Sequence, residues 1–212
     1  MSWAERSLEA FEQALASSDP TPGGGTAAAV ALGQAAALVS MVASLTLQSD
    51  RWTDAHEAAQ QARNVATEAR SNAARLADED SAAFDQVMAA FRLPKTNESE
   101  TEARREAIRS ATLHAAEVPM ETAELARALI DEVLIMIQRG NVNAVSDAGM
   151  ASLLATAAAK GALFNVNINL DALPEDMGHD LRERAPLLLE EVRVMGRRCM
   201  DAVRDRMESQ RT

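Results

Sequence analysis

Apolar residues recur at helical spacing along most of the chain, and short polar segments separate the stretches. The pattern predicts long helices over residues 26–47, 53–91, 99–138 and 173–210, and a shorter one over residues 2–16. A further helix is expected to be capped by Ser146 or Asp147 and to end at Lys160 or Leu163, with residues 161–170 irregular. Thr53 or Asp54 is the expected N-cap of the third helix.

Two prolines fall inside predicted helices. Pro119 is expected to kink or split the helix over residues 99–138, and Pro186 marks a second start within the last helix. No strand–helix alternation and no internal repeat is present in the sequence. We therefore predict an all-α fold, a single domain (residues 1–212) built as a bundle of five to seven long helices that dimerises through helices.

The segment from Pro20 to Ser49 carries no charge, although charged residues make up 25% of the chain. It opens with a glycine-rich stretch that contains Gly23, Gly24, Gly25 and Thr26. Consecutive glycines let the main chain approach a ligand closely, and unpaired N–H groups at the following helix start would face that ligand. A tight turn between two helices is the alternative explanation.

The uncharged segment is long enough to raise the question of a membrane span. Ala, Gly, Ser, Thr and Gln fill much of it, and flanking Lys/Arg clusters are missing. Small residues favour close helix packing in a bundle or a dimer interface, so no membrane partner is expected. The charged residues near the start are unlike a signal peptide, and we expect a cytoplasmic protein.

Composition excludes several other classes of function. The net charge of −11 disfavours nucleic acid as a partner. The single Cys199 allows neither an internal disulfide nor a Cys-type zinc site, and the three histidines follow no ligand spacing. No metal centre is therefore predicted.

Asp80 is the first candidate for catalysis. It lies on the same predicted helical face as three apolar residues, Phe84, Met88 and Phe91. A carboxylate held against apolar surface has its charged form disfavoured, which tunes it as a general base. The alternative is a boundary Asp that points to water.

Three further polar groups are candidates for binding. The first lies between two helices and contains Asn141, Asn143, Ser146 and Asp147, which could contact a polar heterocycle or simply cap and turn. The second is the alternating segment 165–170, in which a short extended piece would place Asn165, Asn167 and Asn169 on one side. The third is Lys95, a candidate anion contact or an ordinary surface lysine.

Taken in order, these segments resemble the cyclodeaminase/cyclohydrolase family. That family includes the C-terminal domain of formimidoyltransferase-cyclodeaminase and stand-alone methenyltetrahydrofolate cyclohydrolases. The resemblance extends from about Leu8 to Met200, and the matching motifs are residues 20–26, 41–46, 80–84, 93–95, 118–119, 140–147 and 165–170.

The resemblance implies an all-helical, folate-binding homodimer that needs no metal or separate cofactor. In that family the Asp matched by Asp80 is regarded as catalytic, and the glycine and Asn-rich segments would line the folate cleft. Thr26 stands where relatives often have Ser, a departure that keeps the hydroxyl. No formimidoyltransferase domain precedes the matching region, which favours a stand-alone cyclohydrolase.

The implied reaction is hydrolysis of 5,10-methenyltetrahydrofolate, with Asp80 as the base that activates water. Asp147 is the second catalytic candidate. The expected substrate-binding residues are Gly23, Gly24, Gly25, Thr26, Lys95, Asn141, Asn143, Ser146, Asn165 and Asn169. Two alternatives stay open: a formimidoyltetrahydrofolate cyclodeaminase that releases ammonia, and a non-catalytic folate-binding helical dimer.

Overall fold

The computed structural model describes residues 2–209, and within that range it contains helices and no strand. Six α-helices follow one another: α1 (Leu8–Leu15), α2 (Gly24–Leu47), α3 (His56–Phe91), α4 (Glu98–Arg139), α5 (Val145–Asp171) and α6 (His179–Glu208). Short 3-10 turns lie at Trp3–Glu5, Asp50–Ala55 and Val142–Ala144. The all-α prediction is confirmed.

Helices α2 to α5 form an up-and-down four-helix bundle. Helix α2 packs against α3 and α5, and α4 packs against the same two helices from the other side. Helix α6 packs outside the bundle against α4 and α5. The start of α2 therefore lies beside the end of α5, and the end of α2 lies beside the start of α5.

Small side chains dominate the interior. Along α3, alanines recur every three or four residues and are almost fully buried, at Ala59, Ala62, Ala66, Ala69 and Ala73. Side chains of this size let the helices pack at close distance with few voids.

Helix α2 explains the uncharged segment of the sequence. By length and composition it could cross a membrane, and among residues 2–209 it is the one helix that passes this test. It packs between α3 and α5, and its residues Leu32, Val39 and Val42 are buried in the bundle core. The absence of charge follows from this position, because an unpaired charge in the core would be costly.

The last turns of α3 and the first turns of α4 project beyond the glycine end of the bundle. Asn97 caps α4 by accepting a hydrogen bond from the Glu100 N–H at 2.9 Å. Phe84 and Phe91 are 40% and 50% exposed on this hairpin. The apolar face predicted to surround Asp80 therefore does not pack against the chain's own core, and the burial of Asp80 has another cause.

Several predicted helix ends are wrong. Residues 2–16 form a 3-10 turn and a separate α1, and α3 begins at His56 after another 3-10 turn, so neither Thr53 nor Asp54 caps it. Ala144 occupies the N-cap position of α5, so neither Ser146 nor Asp147 caps that helix. The last helix begins at His179 rather than at residue 173 or Pro186.

Residues 161–170, predicted to be irregular with an extended piece, continue α5 to Asp171. Six alternating residues are too few to separate a period of two from a helical period. Val166 and Leu170, four apart, are buried on one side of the helix, whereas Ile168 is 68% exposed. Asn165 and Asn169 consequently share a side of α5, and Asn167 points elsewhere and is exposed.

Pro119 neither splits nor ends α4. A proline lacks an N–H, so the carbonyl four residues earlier, that of Ala115, loses its intrahelical donor. The Asn169 side chain replaces it, since its Nδ2 donates to the Ala115 carbonyl at 2.7 Å. The compensation comes from α5, which is why the sequence around Pro119 gave no sign of it.

Candidate active site at the glycine end of the bundle

Asp80 of α3 caps the start of α2 from outside that helix. Gly23 occupies the N-cap position of α2 and has no side chain to satisfy the first N–H groups. The Asp80 carboxylate takes that place, and its Oδ2 accepts a hydrogen bond of 2.8 Å from the Thr26 hydroxyl. A carboxylate at a helix N-terminus also interacts favourably with the helix dipole.

Gly25 is required by this contact. A Cβ on residue 25 would lie 2.1 Å from Asp80 Oδ1 and 2.6 Å from its Cγ. No real side chain fits there, so the main chain of α2 and the carboxylate touch because residue 25 has no Cβ. Gly24 is different, since a Cβ there would lie 3.9 Å from Asn165 Nδ2.

Asp80 is half-buried between α2 and α3. Burial raises the pKa of its carboxyl above the ordinary value, and the hydroxyl and main-chain N–H of Thr26 lower it in partial compensation. A carboxyl whose pKa is raised by burial is better suited to accept a proton near neutral pH than an ordinary surface Asp. The sequence predicted surroundings that disfavour the charged form of Asp80, and this geometry agrees with that prediction. Helix α2, rather than the apolar face of α3, buries the carboxylate.

A line of hydroxyl groups extends from Asp80 toward the N-terminus. The Thr26 and Ser81 hydroxyls are 3.0 Å apart, and both residues are buried. The Trp3 indole Nε1 donates to the Ser81 hydroxyl at 2.9 Å. The sequence by itself does not connect Ser81 with Trp3, because 78 positions separate them and only the fold brings them together.

Two asparagines of α5 border the same region. Asn165 lies next to Gly24 and donates from Nδ2 to the Gly161 carbonyl at 2.9 Å. Asn169 lies one turn further along and binds the Ala115 carbonyl. The structure therefore brings the glycine segment, Asp80 and Asn165 together, with Asn169 one helical turn beyond Asn165.

The predicted Asn141 group does not join them within one chain. Asn141 lies at the far end of α2, where its N–H donates to Thr46 Oγ1 at 2.9 Å and its Nδ2 donates to the Leu45 carbonyl at 3.3 Å. Twenty-two helical residues separate Gly24 from Thr46, a distance of about 33 Å at 1.5 Å per residue. Within a single chain, the Asn141 group therefore does not line the same pocket as the glycine segment and Asp80.

Asn143, Ser146 and Asp147 lie at the same end of the bundle as Asn141. Asn141 caps the 3-10 turn Val142–Ala144 by accepting from the Asn143 N–H at 3.0 Å. Asn143 and Ser146 are exposed and Asp147 is half-buried, all near this end of α5. Of the two explanations given for this group, a capping role therefore accounts for Asn141. Asp147 does not lie next to Asp80 within one chain.

Lys95 is exposed at the tip of the α3–α4 hairpin. Eleven residues separate Asp80 from Phe91, so the tip lies at least about 16 Å beyond the carboxylate along the helix axis. Lys95 therefore cannot touch a group that reacts at Asp80, and only the far end of a long substrate would reach it.

A groove of about 710 Å³ lies beside the site, between the N-terminal segment and helices α2 and α3. Trp3 and Phe11 line one wall, and Arg6, Gln34 and Arg70 add polar groups. Residues 2–209 hold no group of three or more His, Cys, Asp or Glu side chains placed to bind a metal ion.

The chain is an all-α bundle with a half-buried carboxylate at its glycine end, and its similarity to known proteins makes it an enzyme. The family model described as formiminotransferase-cyclodeaminase matches residues 7–185, which is most of the chain. The chain belongs to the formiminotransferase-cyclodeaminase family, as the resemblance of its motifs predicted.

Two relatives differ in their named activities. The chain is 38% identical over 168 residues to a methenyltetrahydrofolate cyclohydrolase of Methylorubrum extorquens, covering 79% of this chain and 81% of that protein. It is 28% identical over 205 residues to the formimidoyltransferase-cyclodeaminase of Rattus norvegicus, covering 96% of this chain but 38% of the rat protein. The match to the rat protein thus leaves most of that protein's length outside the similarity.

A solved structure shares the fold over its full length. The formiminotetrahydrofolate cyclodeaminase of Thermotoga maritima superposes with a TM-score of 0.81 and 29% sequence identity, covering 99% of each chain. The helical bundle described above is therefore the architecture of a known cyclodeaminase.

Proposed function

We propose that this protein hydrolyses 5,10-methenyltetrahydrofolate to 10-formyltetrahydrofolate. The observation that carries the proposal is the Asp80 carboxylate, half-buried against the glycine start of α2, with a pKa raised by burial. The relative that the chain matches over four-fifths of both lengths is named for this reaction. The substrate is a cation at its reacting carbon, so a neighbouring carboxylate also stabilises it electrostatically.

The proposed steps use side chains and water, without a metal or a separate cofactor. Asp80 takes a proton from water as the water oxygen attacks the carbon between N5 and N10. The resulting adduct carries a hydroxyl on that carbon. The bond from carbon to N5 then breaks, Asp80 returns its proton to N5, and the hydroxyl proton leaves to solvent as the formyl carbonyl forms. One water is consumed and one proton is released in total.

Other residues of the same end have supporting roles in this proposal. The main chain of Gly23, Gly24 and Gly25 borders the reacting carbon, and Asn165 and Asn169 orient the pterin. Lys95 attracts the glutamate tail, which is the part of a folate that can extend to the hairpin tip. Asn141, Asn143, Ser146 and Asp147 could take part only from a second copy of the chain.

Cyclodeamination is the second candidate, because the fold and the matched relatives include cyclodeaminases. In that reaction N10 attacks the formimino carbon on N5 and ammonia leaves. The same carboxylate could accept the N10 proton and return a proton to the leaving nitrogen, so the geometry of Asp80 serves both reactions.

The deciding experiment compares wild type, Asp80→Asn and Asp147→Asn with both substrates. Loss of methenyltetrahydrofolate absorbance, corrected for the uncatalysed rate, measures hydrolysis, and ammonia release from formiminotetrahydrofolate measures deamination. We expect hydrolysis by wild type, a loss of at least about 100-fold in kcat for Asp80→Asn, and a small effect of Asp147→Asn.

Three other results of this experiment would each change the proposed function. Ammonia release without hydrolysis would replace the first candidate with the second. Tight folate binding with no turnover would favour the non-catalytic helical dimer. A folded Asp80→Asn protein with wild-type turnover would remove Asp80 from the catalytic role.

We also propose that the protein is a cytoplasmic homodimer formed through α2 and α5. Side chains on one face of α5 are apolar and exposed, namely Met150, Leu153, Phe164 and Ile168. Met41 and Leu45 are exposed on the adjoining uncharged helix α2. Apart from the half-buried Lys160, which lies between Leu153 and Phe164, the side chains of this face are apolar or small. An exposed apolar face of this length is unusual on a monomer, and a second copy offers the same face in return.

A further inference from the structure

Trp3, in the N-terminal segment, is bound to α3 by two hydrogen bonds. Its main-chain N–H donates to Asp78 Oδ1 at 2.7 Å, and its indole Nε1 donates to the Ser81 hydroxyl at 2.9 Å. The Phe11 ring packs edge-on against the indole, with ring centroids 5.9 Å apart. The indole therefore has a defined position beside the α2–α3 contact.

Ser81 connects this indole to the proposed base. Its hydroxyl lies 3.0 Å from the Thr26 hydroxyl, which lies 2.8 Å from Asp80 Oδ2. Thr26 is fully buried and Ser81 nearly so, which protects these bonds from exchange with bulk water. Hydrogen bonds in such a series polarise and strengthen one another in a low-dielectric interior.

The chemistry of the two ends fixes the direction of every bond between them. An indole N–H can only donate, and an ionised carboxylate can only accept. The Thr26 hydroxyl gives its single proton to Asp80, so it must accept from Ser81. The indole fills an acceptor lone pair of the Ser81 hydroxyl, whose proton points to Thr26.

Without the indole, the Ser81 hydroxyl loses the donor that polarises it. Its bond to Thr26 weakens, and the bond from Thr26 to Oδ2 weakens with it. The carboxylate would then be held less firmly against Gly25, with the main-chain N–H of Thr26 as its remaining strong donor.

We propose that Trp3 is a positioning residue for Asp80, and that its indole N–H acts through Ser81 and Thr26 to keep Oδ2 occupied as an acceptor. This inference rests on the proposed function, since Asp80 is its base. Oδ1, the oxygen nearest the Gly25 main chain, is then the atom that takes the proton from water. Proton uptake at Oδ1 leaves Oδ2 an acceptor, so the hydroxyls need not reorganise during turnover.

The test compares Trp3→Phe with the matched substitution Trp52→Phe. Phenylalanine keeps an aromatic ring against Phe11 but removes the N–H. Trp52 lies in the 3-10 turn Asp50–Ala55 at the opposite end of the bundle, where the Arg51 and Arg206 guanidinium groups lie over its ring. We expect Trp3→Phe to lower kcat about 10-fold with KM within twofold. We expect Trp52→Phe to leave both parameters within twofold of wild type.

A double-substitution cycle with Ser81→Ala makes the test independent of packing. Ser81→Ala interrupts the same series of bonds, so Trp3→Phe should cost nothing further in the Ser81→Ala background. Independent, multiplicative losses in kcat would overturn the inference. Circular dichroism and the melting temperature establish whether each variant is folded. If Trp3→Phe does not fold, the effect of Ser81→Ala alone on kcat decides the test.

Two further outcomes separate this inference from the proposed function. If the wild type turns over substrate and folded Trp3→Phe has an unchanged kcat, or only a raised KM, the positioning role is refuted and the proposed function stands. A wild type that turns over neither folate refutes the proposed function and the inference together.

Discussion

The Asp80 carboxylate occupies the space where a side chain on residue 25 would be. An ideal Cβ on Gly25 would fall 2.1 Å from Asp80 Oδ1, less than any real contact allows. Gly25 and Asp80 are 55 positions apart in the sequence and depend on each other. The missing side chain of Gly25 leaves room for the carboxylate, and the carboxylate caps the helix in whose first turn Gly25 lies.

Gly25→Ala should therefore displace Asp80 and inactivate the protein. We expect kcat to fall about 100-fold, since a shift of 1 Å in a catalytic group has an effect of that size. The matched control is Gly33→Ala, further along the same helix, because a Cβ there meets Ala73 Cβ at an ordinary 3.5 Å. Steady-state hydrolysis of methenyltetrahydrofolate measures both variants. Equal activity of the two would mean that the close approach is not needed for turnover.

The pH dependence of kcat/KM should report the environment of Asp80. The base must be ionised, and burial raises the pKa of its carboxyl, so activity should fall with decreasing pH through a value above the ordinary carboxyl range. Thr26→Val removes the hydroxyl that lowers this pKa. The acid limb of its profile should therefore move to higher pH than that of wild type.

Thr26→Ser is the control for that shift, since it keeps the hydroxyl. The acid limb of its profile should coincide with wild type after correction for the uncatalysed reaction. A limb that stays in place in Thr26→Val would show that another group titrates.

Asn169 and Pro119 should be coupled in stability. Asn169→Ala leaves the Ala115 carbonyl without a donor, and we expect it to lower the free energy of unfolding by about 1–3 kcal/mol. Pro119→Ala restores an N–H that can bond this carbonyl within α4. Asn169→Ala should then cost clearly less in the Pro119→Ala background, as measured by urea unfolding. Additive losses would contradict this explanation.

The proposed dimer predicts a change in mass on substitution within the α2–α5 face. Phe164→Glu places a charge on that face and should convert the protein from a dimer to a monomer of 22.7 kDa. Leu187→Glu is the control, because Leu187 is about as exposed (61% against 63%) but lies on α6. Light scattering after gel filtration measures both. A wild type that is already monomeric would dismiss the dimer.

The sequence alone was sufficient for the fold class, and it singled out candidate site residues that the structure brings together. Helical spacing of apolar residues predicted the helices, because a core-facing stripe leaves its period in the sequence. The glycine segment and Asp80 were found because their residue types are unusual where they occur. Helix ends were less predictable, as α3 begins without a side-chain cap and α5 continues through residues 161–170.

Only the tertiary structure decided which polar residues meet. Asn141 and Asn165 look equivalent in the sequence, yet α2 separates them by most of its length, and only Asn165 lies near Asp80. The contact between Ser81 and Trp3 also arises only when the N-terminal segment packs on α3. Periodicity records which side of a helix faces the core, whereas the neighbour across that core depends on how the helices are paired and aligned along the bundle.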